Sequence, residues 1–476
     1  MLKKMFKGIL MGGALLALTV PAAQAADVNI NLYGASAQHL FWNDAADDFL
    51  ASQSCTGIAQ DEYNSKHGIT RGTCGADNVY IRYSSKASFD GIYAVKGAVN
   101  TDSCTTAFQR KMVDEASCTD WVLGGTACSA LKCQDVTVGA SDVAGDSFLQ
   151  SSAGQLKGPN GGGYITRSFP ATGVDTSGLI ARQPVVVPFG FFANNTVNKT
   201  KCIGPDPLTP TPAAHKAVST WGYQCYDPDE DGKSEDCIGF YKCVGGTCSG
   251  GVNSGNACTQ ANQCPDVALE NTNCQRIPLD NISRIMAVNI FSGQAWYWTD
   301  FGAWYNSDPI VACLRHAGSG THSTLDWAVM RSAAGDWGWP LVTEESAADP
   351  TVWFNDGSSD EMKCINTLAG AIGYADADQL EGKSNYENVH ALKYNGIEPR
   401  RTKVRNGEYD FYSNQWLYFN HTPTVFEEAL VSFASDPAKI PASKAKFWAA
   451  SGEMVYNKSN DRVYPGYIGA GLPQLP

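Results

Sequence analysis

The sequence contains few basic residues and, beyond its N-terminus, no long run of uniformly apolar residues. Lysine and arginine together number 35 against 48 aspartate and glutamate residues, which gives a formal net charge of −13 at pH 7. An acidic surface of this kind argues against nucleic acids and anionic membranes as partners. A site for a small anion must therefore depend on local geometry, because the overall field opposes entry of an anion.

Motifs of the common enzyme and cofactor classes are also missing. Ser319 cannot be the nucleophile of a G-x-S-x-G turn, because Ala317 and Thr321 occupy the positions of its two glycines. The chain has neither a G-x-x-x-x-G-K-[ST] phosphate loop nor a C-x-x-C-H haem attachment motif, and no C-x2-C spacing typical of zinc sites. We therefore predict that the protein is not an enzyme and requires no cofactor.

The first 25 residues have the pattern of a bacterial secretory signal peptide. Three lysines precede an apolar run from Gly8 to Val20, and Ala23-Gln24-Ala25 has the small-x-small form of a cleavage site. A membrane anchor is the alternative, but the run is shorter than the roughly 20 residues that a span needs. We expect residues 1–25 to be removed and the remaining chain to be periplasmic or secreted without spanning a membrane. All 16 cysteines follow this segment, which predicts disulfide bonds in an oxidising compartment.

Strands, small-residue turns and helical patterns alternate along the chain. A strand over Val28–Leu32 leads into Gly34-Ala35-Ser36 and a helical pattern, and a strand over Val79–Tyr83 leads through Ser84-Ser85 into a helix from about Phe89. Two similar units contain "DVTVGASDV" and "PIVACLRHAGSGT". This alternation predicts an α/β fold with ligands bound at the carboxyl ends of the strands.

Three other segments have a different character. Arg182 to Asn195 is rich in β-formers but contains Pro188 and Gly190, which fits either an extended crossing between two lobes or an edge strand. Residues 198–276 contain eight cysteines and show little apolar periodicity. This composition predicts an insertion that is cross-linked by disulfide bonds. A second, shorter cysteine-rich insertion is predicted at about residues 100–134.

The stretch "CLRHAGSGTHSTLDW" places an arginine before small residues and hydroxyls at the start of a helical pattern. Four features of this stretch suit a tetrahedral oxyanion. They are the unpaired N–H groups at a helix start, the hydroxyls of Ser319 and Thr321, the close approach of the backbone that Gly320 allows, and the planar fork of Arg315. The alternatives are a surface salt bridge for Arg315 and simple capping by the loop. His316 and His322 flank the loop, and we interpret them as lining residues because their spacing does not place them on one helical face.

Asp142, in "VTVGASDV", would indicate which oxyanion is preferred if it lies beside the anion, a position implied by the resemblance of this segment to a known family of binding proteins. A carboxylate beside an anion is favourable when the ligand still carries a proton to donate, as phosphate does near neutral pH and sulfate does not. The alternative is that Asp142 caps the following helix.

These residues resemble the periplasmic phosphate-binding proteins that serve ABC importers. Arg315 with "GSGT" is similar to the phosphate loop of that family, and "YGASAQ", "VTVGASDV", "LDNISRIMAVNIFSGQAWYWTDFG" and "NTLAGAIGYADADQ" resemble further family segments in the same order. The resemblance covers most of the chain outside the two insertions. It implies a two-lobed type II periplasmic binding protein fold with a hinge and a cleft, interrupted by the cysteine-rich insertions.

The resemblance also implies a set of ligand residues and a division into lobes. The oxyanion-binding residues would be Ser36, Gln38, Ser84, Ser85, Asp142, Arg315, Ser319, Gly320 and Thr321. Lobe I would comprise 26–188 and 393–476, and lobe II 189–392. The sequence departs from the family where Ala317 replaces an acidic residue that orients the arginine, where Gln38 replaces a threonine, and where Lys86 and Ala87 replace glycines. These departures affect strict phosphate specificity more than the oxyanion class.

Two disulfides can be predicted from their positions. Cys313 and Cys364 flank the arginine strand and the "GAIGY" strand, and Cys55 and Cys74 lie on either side of the connection between the first helix and the second strand. The sequence does not determine how the other cysteines pair.

An acidic loop in the larger insertion, "DPDEDGKSED", alternates carboxylates around a glycine. It resembles calcium loops, so Asp227, Asp229, Asp231 and Asp236 form either a structural calcium site or a solvated acidic loop. The leading hypothesis is an exported monomeric protein that captures phosphate or a related oxyanion for an ABC permease. The alternative is a secreted or surface adhesion protein that keeps the binding fold as a scaffold for the insertion.

Overall fold

A computed structural model describes residues 27–99, 102–121, 125–156, 163–203, 273–302, 305–331, 339–344, 351–458, 461 and 466–467, with a few residues between 243 and 257. The proposed signal peptide and the acidic loop with Asp227, Asp229, Asp231 and Asp236 lie outside the described residues. Most of the larger cysteine-rich insertion, on which the adhesion hypothesis depends, lies outside them as well.

The described residues form two large mixed sheets. The strands of the first sheet are β1 (Asp27–Gly34), β2 (Thr56–Asn64), β3 (His67–Cys74), β4 (Asp77–Ser85), β7 (Val138–Ser141), β10 (Ile180–Arg182) and β22 (Trp416–Phe419). Their order is β10-β22-β7-β1-β4-β3-β2, and β1 runs parallel to both β4 and β7. The carboxyl ends of these three strands therefore meet at one edge of the sheet.

The second sheet is built in the same way. Its strands are β11 (Val185–Asn194), β16 (Asn281–Ile282), β17 (Val311–Arg315), β18 (Val352–Asn355), β19 (Ala371–Asp376), β20 (Val389–Tyr394), β21 (Tyr412–Asn414) and β23 (Ala449–Ala450). The order is β16-β20-β11-β19-β17-β18, and β21 and β23 also pair with β11. Strand β17 runs parallel to β18 and β19, so Arg315 and Asn355 end adjacent strands.

The helices pack on these sheets, and short pairs of strands lie outside the two sheets. The helices are α1 (His39–Ser52), α2 (Ser88–Lys96), α3 (Arg284–Phe291), α4 (Gly320–Thr324, continued by a π-helical turn over Leu325–Met330), α5 (Ser358–Thr367), α6 (Arg401–Arg405) and α7 (Val425–Ala434). The paired strands outside the sheets are β5 (Gln109–Val113) with β6 (Leu131–Asp135), β8 (Ser151–Leu156) with β9 (Gly163–Ser168), β12 (Asn198–Ile203) with β15 (Asn273–Pro278), β13 (Cys243–Val244) with β14 (Thr247–Cys248), and β24 (Tyr456–Asn457) with β25 (Gly466–Tyr467). The predicted α/β class is confirmed.

The chain crosses between the sheets at two adjacent places. Strand β10 of the first sheet is followed after two residues by β11 of the second, and Gln415 alone separates β21 from β22. The Gln415 N–H donates to the Val185 carbonyl, so the two crossings lie side by side. The edge-strand alternative for Arg182 to Asn195 is wrong, because β11 pairs on both sides. Its Pro188 is accommodated where β11 changes from β21 to β19 as a partner. The lobe limits predicted from the sequence stay a prediction.

Several small residues that the sequence assigns to turns lie instead in the last positions of strands. We predicted turns at Ser84-Ser85 and at Gly139-Ala140-Ser141, yet these residues close β4 and form most of β7. The reason is close helix packing: a Cβ on Gly91 of α2 would lie 2.3 Å from the Ala140 carbonyl oxygen. Small side chains at these strand ends let α2 approach the sheet.

Both predicted disulfides are present, Cys55–Cys74 and Cys313–Cys364. The shorter insertion carries Cys104–Cys133 and Cys118–Cys128. The Cys313–Cys364 bridge ties β17, which ends at Arg315, to helix α5, which begins at Ser358. In the part of the chain that is described, no helix is both long enough and apolar enough to cross a membrane.

Replacing Cys313 and Cys364 together by alanine is expected to lower the free energy of unfolding by about 4 kcal/mol, because the bridge closes a 51-residue separation between two fully buried positions. Denaturant unfolding of the oxidised proteins measures this. Cys104→Ala with Cys133→Ala is the control: it opens a 29-residue separation, and Cys133 is exposed, so its truncation leaves no core cavity. The expectation is contradicted if the free energy of unfolding falls no more in the Cys313/Cys364 variant than in the Cys104/Cys133 variant.

Candidate functional site

The carboxyl ends of parallel strands from the two sheets face each other. Several contacts join them directly: the Phe89 N–H donates to the Gly318 carbonyl at 3.2 Å, and the hydroxyls of Ser36 and Ser358 lie 3.2 Å apart. The Ala317 N–H donates to the Ser152 hydroxyl at 2.8 Å. The arginine loop is therefore enclosed by residues of both sheets.

Arg315, the last residue of β17, is fully enclosed in this region. Its side chain is 1% exposed, and its terminal nitrogens donate to the Ser358 hydroxyl at 3.0 Å and to the Asp356 carbonyl at 2.9 Å. The Arg315 Nε makes no hydrogen bond to any described residue. A surface salt bridge is excluded by this burial, and the guanidinium keeps donor capacity for a guest.

The orienting role that Ala317 cannot play is taken by residues from elsewhere in the chain. No acidic residue stands two positions after Arg315, and residues 356–358, just after β18, hold the guanidinium. Because Arg315 and Asn355 are register partners, the turn after β18 begins next to the guanidinium. Sequence reasoning missed Asp356 and Ser358; the signal was the "NDGSS" segment, a strand end followed by small residues and a helix start.

The "GSGT" segment caps its helix as expected. The Ser319 hydroxyl accepts from the His322 N–H at 3.4 Å, which makes Ser319 the N-cap of α4. Gly320 is packed tightly: a Cβ there would lie 2.5 Å from the Ser88 hydroxyl and 2.6 Å from the Asp142 Cβ. Thr321 is fully buried, and its Oγ1 has no hydrogen bond of normal geometry to a described residue.

Asp142 follows β7 and faces this loop from the first sheet. It is 1% exposed, and its Oδ2 accepts from the Ser88 hydroxyl at 3.1 Å, whereas its Oδ1 makes no such bond to a described residue. Burial raises the pKa of the Asp142 carboxyl to about 6, although the Arg315 guanidinium and the nearby Ser88, Gln38 and Thr321 side chains act in the opposite direction. The helix-cap alternative is excluded, because Ala144 is the N-cap of the next helical turn, Gly145–Ser147.

Of the remaining predicted site residues, Ser36 and Ser85 face a cavity, whereas Gln38 and Ser84 are hydrogen-bonded within the protein. Ser36 and Ser85 line a cavity between the sheets beside the arginine site. Gln38 is fully buried but occupied: its amide donates to the Ser141 carbonyl at 3.0 Å and accepts from the Trp42 indole at 2.8 Å. Ser84 donates to the Lys111 carbonyl at 2.9 Å and so lies on the opposite face of β4 from Ser85.

Ser88 was not predicted, although it is the third serine of "SSKAS". It is 1% exposed and bonds to both the carboxylate and the backbone N–H of Asp142. Sequence spacing favoured Ser84 and Ser85 because they directly follow the predicted strand. The first turn of α2 instead brings Ser88 to the site.

The two histidines beside the loop are buried and neutral. Burial lowers the pKa values of His316 and His322 to about 3. His316 Nδ1 accepts from the Gly318 N–H at 3.1 Å, and His322 Nδ1 lies 2.6 Å from the Tyr374 hydroxyl. Both rings therefore support the loop and Arg315, whose N–H also reaches the Tyr374 hydroxyl at 3.2 Å.

The arrangement combines a permanent cation, a carboxyl group that can be ionised near neutral pH, and a hydroxyl. Arg315 Nε, Asp142 Oδ1 and Thr321 Oγ1 are buried without hydrogen bonds of normal geometry to described residues. Buried polar atoms almost always have partners, so atoms of this kind point to a polar guest. The Thr321 side chain also interacts with the Asp142 carboxyl, so the chemistry of the site suits a guest that accepts hydrogen bonds from Arg315 and shares a proton with Asp142.

No family model and no curated protein matches the chain. Among solved structures, it is similar to a Clostridium perfringens protein assigned as a phosphate ABC transporter substrate-binding protein and solved with bound phosphate (12% identity, 86% of this chain, 94% of that chain, TM-score 0.41). It is also similar to an ABC-type phosphate transport receptor from Vibrio cholerae (10% identity, 86% and 95%, TM-score 0.37) and a phosphate-binding protein from Stenotrophomonas maltophilia (10% identity, 86% and 84%, TM-score 0.40). The site assignment above depends on this chain's own geometry.

Proposed function

We propose that this protein is an exported solute-binding protein that captures phosphate between its two sheets and delivers it to an ABC permease. The observation that carries the proposal is the meeting of Arg315 and Asp142, which come from different sheets, in a buried site with unpaired polar atoms. Arg315 binds the oxyanion through its fork, and Thr321 adds a hydroxyl donor. No bond of the ligand is broken, so the protein acts by binding alone.

Closure of the two sheets over the ligand is part of the proposed function. Lys86 pairs with Asp356 at 3.4 Å and Lys66 with Asp360 at 3.1 Å, and both pairs link the first sheet to the second. Such closure removes the ligand from water and strengthens its hydrogen bonds. The closed surface is what a permease would recognise.

Calorimetric titration of the mature protein, stripped of co-purified ligand, tests the function directly. We expect saturable binding of one phosphate per chain, binding of arsenate, and no binding of sulfate at the same pH. Arsenate carries a proton near neutral pH as phosphate does, and sulfate does not. The proposal fails if none of the three anions binds, or if sulfate binds as tightly as phosphate.

Asp142→Asn is expected to weaken phosphate binding by about 10- to 100-fold, because a charge-assisted hydrogen bond contributes about 1.5–3 kcal/mol. Sulfate binding is expected to become measurable, because the repulsive carboxylate is gone. Titration of wild type and variant with both anions provides the measurement. Equal phosphate affinity in the two proteins would remove Asp142 from the site.

The same substitution is expected to stabilise the ligand-free protein at pH 7.5. The pKa of Asp142 is raised from 3.8 to about 6 in the folded state. The folded state therefore holds this proton more tightly, and stability falls as pH rises from about 4 to 6, by up to about 3 kcal/mol. The Asp142→Asn variant lacks this loss, so the difference in free energy of unfolding between variant and wild type should grow over that window. Urea unfolding at pH 4.5 and 7.5 measures it, and a pH-independent difference would contradict it.

A further inference from the structure

A cavity of about 520 Å³ lies between the sheets beside the buried arginine site. Its wall includes Ser36 and Ser358, whose hydroxyls lie 3.2 Å apart, and Ser358 also accepts from Arg315. The cavity therefore adjoins the proposed phosphate site and is separated from it by the hydroxyls of these two serines. Pockets of roughly 300–1,000 Å³ hold whole organic ligands, so this volume exceeds the need of a single phosphate ion.

The charge on the cavity wall is opposite to that of the whole chain. Five lysines face it against three carboxylates, although the protein as a whole carries a net charge of −13. The lysines are Lys66, Lys86, Lys111, Lys363 and Lys383, and the carboxylates are Asp102, Asp356 and Asp360. A local excess of positive charge in an acidic protein attracts an anionic guest to this place.

The lysines differ in how closely carboxylates hold them. Lys66 and Lys86 take part in the ion pairs that join the sheets. The Lys111 ammonium group, on β5, has no carboxylate partner among the residues that the structure describes, and Lys363, on α5, lies 3.8 Å from Asp360. These two lysines stand on opposite walls of the cavity.

The rest of the wall suits a hydroxylated molecule. Ser65, Ser85 and Ser359 add hydroxyls to those of Ser36 and Ser358, and Tyr33 and Tyr386 contribute aromatic rings. Hydroxyls and lysines exchange hydrogen bonds with sugar or polyol hydroxyls, and aromatic rings pack against the apolar face of a sugar.

We propose, on the basis of the phosphate-binding function above, that the ligand is a phosphate monoester of a sugar or polyol. Its phosphoryl group lies at Arg315 and Asp142, its hydroxylated body occupies the cavity between Lys111 and Lys363, and its ester linkage replaces the contact between the Ser36 and Ser358 hydroxyls. As with inorganic phosphate, the phosphoryl group binds in its singly protonated form and donates that proton to the Asp142 carboxylate.

Calorimetry with the stripped full mature chain tests this, using inorganic phosphate, D-glucose 6-phosphate, glycerol 3-phosphate and D-glucose as probes. We expect at least one phosphate ester to bind about tenfold more tightly than phosphate, and glucose alone not to bind. The combined variant Lys111→Gln with Lys363→Gln should weaken ester binding about tenfold and change phosphate binding less than twofold. Lys439→Gln, at an exposed position away from the cavity, is the control and should change neither.

The outcomes separate this inference from the proposed function. Phosphate binding that requires Arg315, with both esters bound tenfold more weakly than phosphate, overturns the inference and leaves the function intact. Ester binding that the two lysine substitutions do not change also overturns the inference. Ester binding that depends on the lysines, without phosphate binding, supports the inference and replaces phosphate as the ligand, whereas no binding of any probe overturns both.

Discussion

Replacing Arg315 by alanine is expected to weaken phosphate binding by about 30-fold to several thousandfold. The guanidinium is 1% exposed and holds two of its donors on Ser358 and the Asp356 carbonyl, so its position is fixed before the ligand arrives. Truncating one member of a buried, hydrogen-bonded charge pair costs about 2–5 kcal/mol of binding free energy.

Arg315→Lys gives the intermediate case. Lysine keeps the charge but not the planar fork that bonds two oxygens at once, so we expect an affinity between those of wild type and Arg315→Ala. Both variants must be folded when titrated, which circular dichroism at the same temperature establishes.

Arg82→Gln is the matched control for loss of a buried arginine. Arg82 is also 1% exposed, but it bonds to Glu115 and to the Val113 carbonyl, away from Arg315 and Asp142. This variant should lose stability and retain phosphate binding. Phosphate binding by Arg315→Ala within threefold of wild type would exclude the assigned site.

Gly320→Ala is expected to weaken binding by about a hundredfold through steric exclusion alone. The new methyl group would lie 2.5 Å from the Ser88 hydroxyl and 2.6 Å from the Asp142 Cβ, distances at which one sheet's residues must move away from the other's. Ser88 also holds the Asp142 carboxylate, so displacing it disturbs the proton-sharing group. Titration measures the affinity, and small-angle X-ray scattering should report a larger radius of gyration in saturating phosphate.

Gly190→Ala is the control for this substitution. Gly190 lies in buried β11, where a Cβ would meet its nearest neighbours at 3.6 and 3.7 Å, which are ordinary contacts. Alanine there should leave affinity unchanged. If Gly320→Ala binds phosphate as wild type does, the loop does not approach Asp142 in the bound protein.

Much of the local structure around the proposed site was predictable because its signals are local. The capping of α4 by Ser319 depends on residues within one turn, and the hydroxyl and glycine pattern of residues 318–321 is visible in the sequence. Asp142 was identified because "VTVGASDV" resembles a segment of the phosphate-binding proteins and because a carboxylate beside an anion selects a protonated ligand. The Cys313–Cys364 and Cys55–Cys74 bridges followed from the expected order of strands and helices.

Other parts of the site depend on residues far apart in the chain. Ala317 indicated a poorly oriented arginine, yet a turn some forty residues later, at Asp356 and Ser358, provides the orienting contacts. Gln38 was assigned to the ligand, and its amide contacts the Ser141 carbonyl and Trp42 while its side chain also interacts with Asp142. Sequence spacing contains no information about which of these long-range contacts forms.

The sequence by itself determined the α/β alternation, because hydrophobic periodicity and small-residue strand ends are set by neighbouring residues. It also determined the chemistry available at the loop, since Arg315 and Asp142 carry that chemistry in any fold that buries them together. Tertiary structure alone decided that β11 is an interior strand, that Ser88 rather than Ser84 reaches Asp142, and that lysines of both sheets surround one cavity. These features arise because the two sheets pack against each other and bring together residues that are hundreds of positions apart. Such contacts produce no periodic pattern in the sequence.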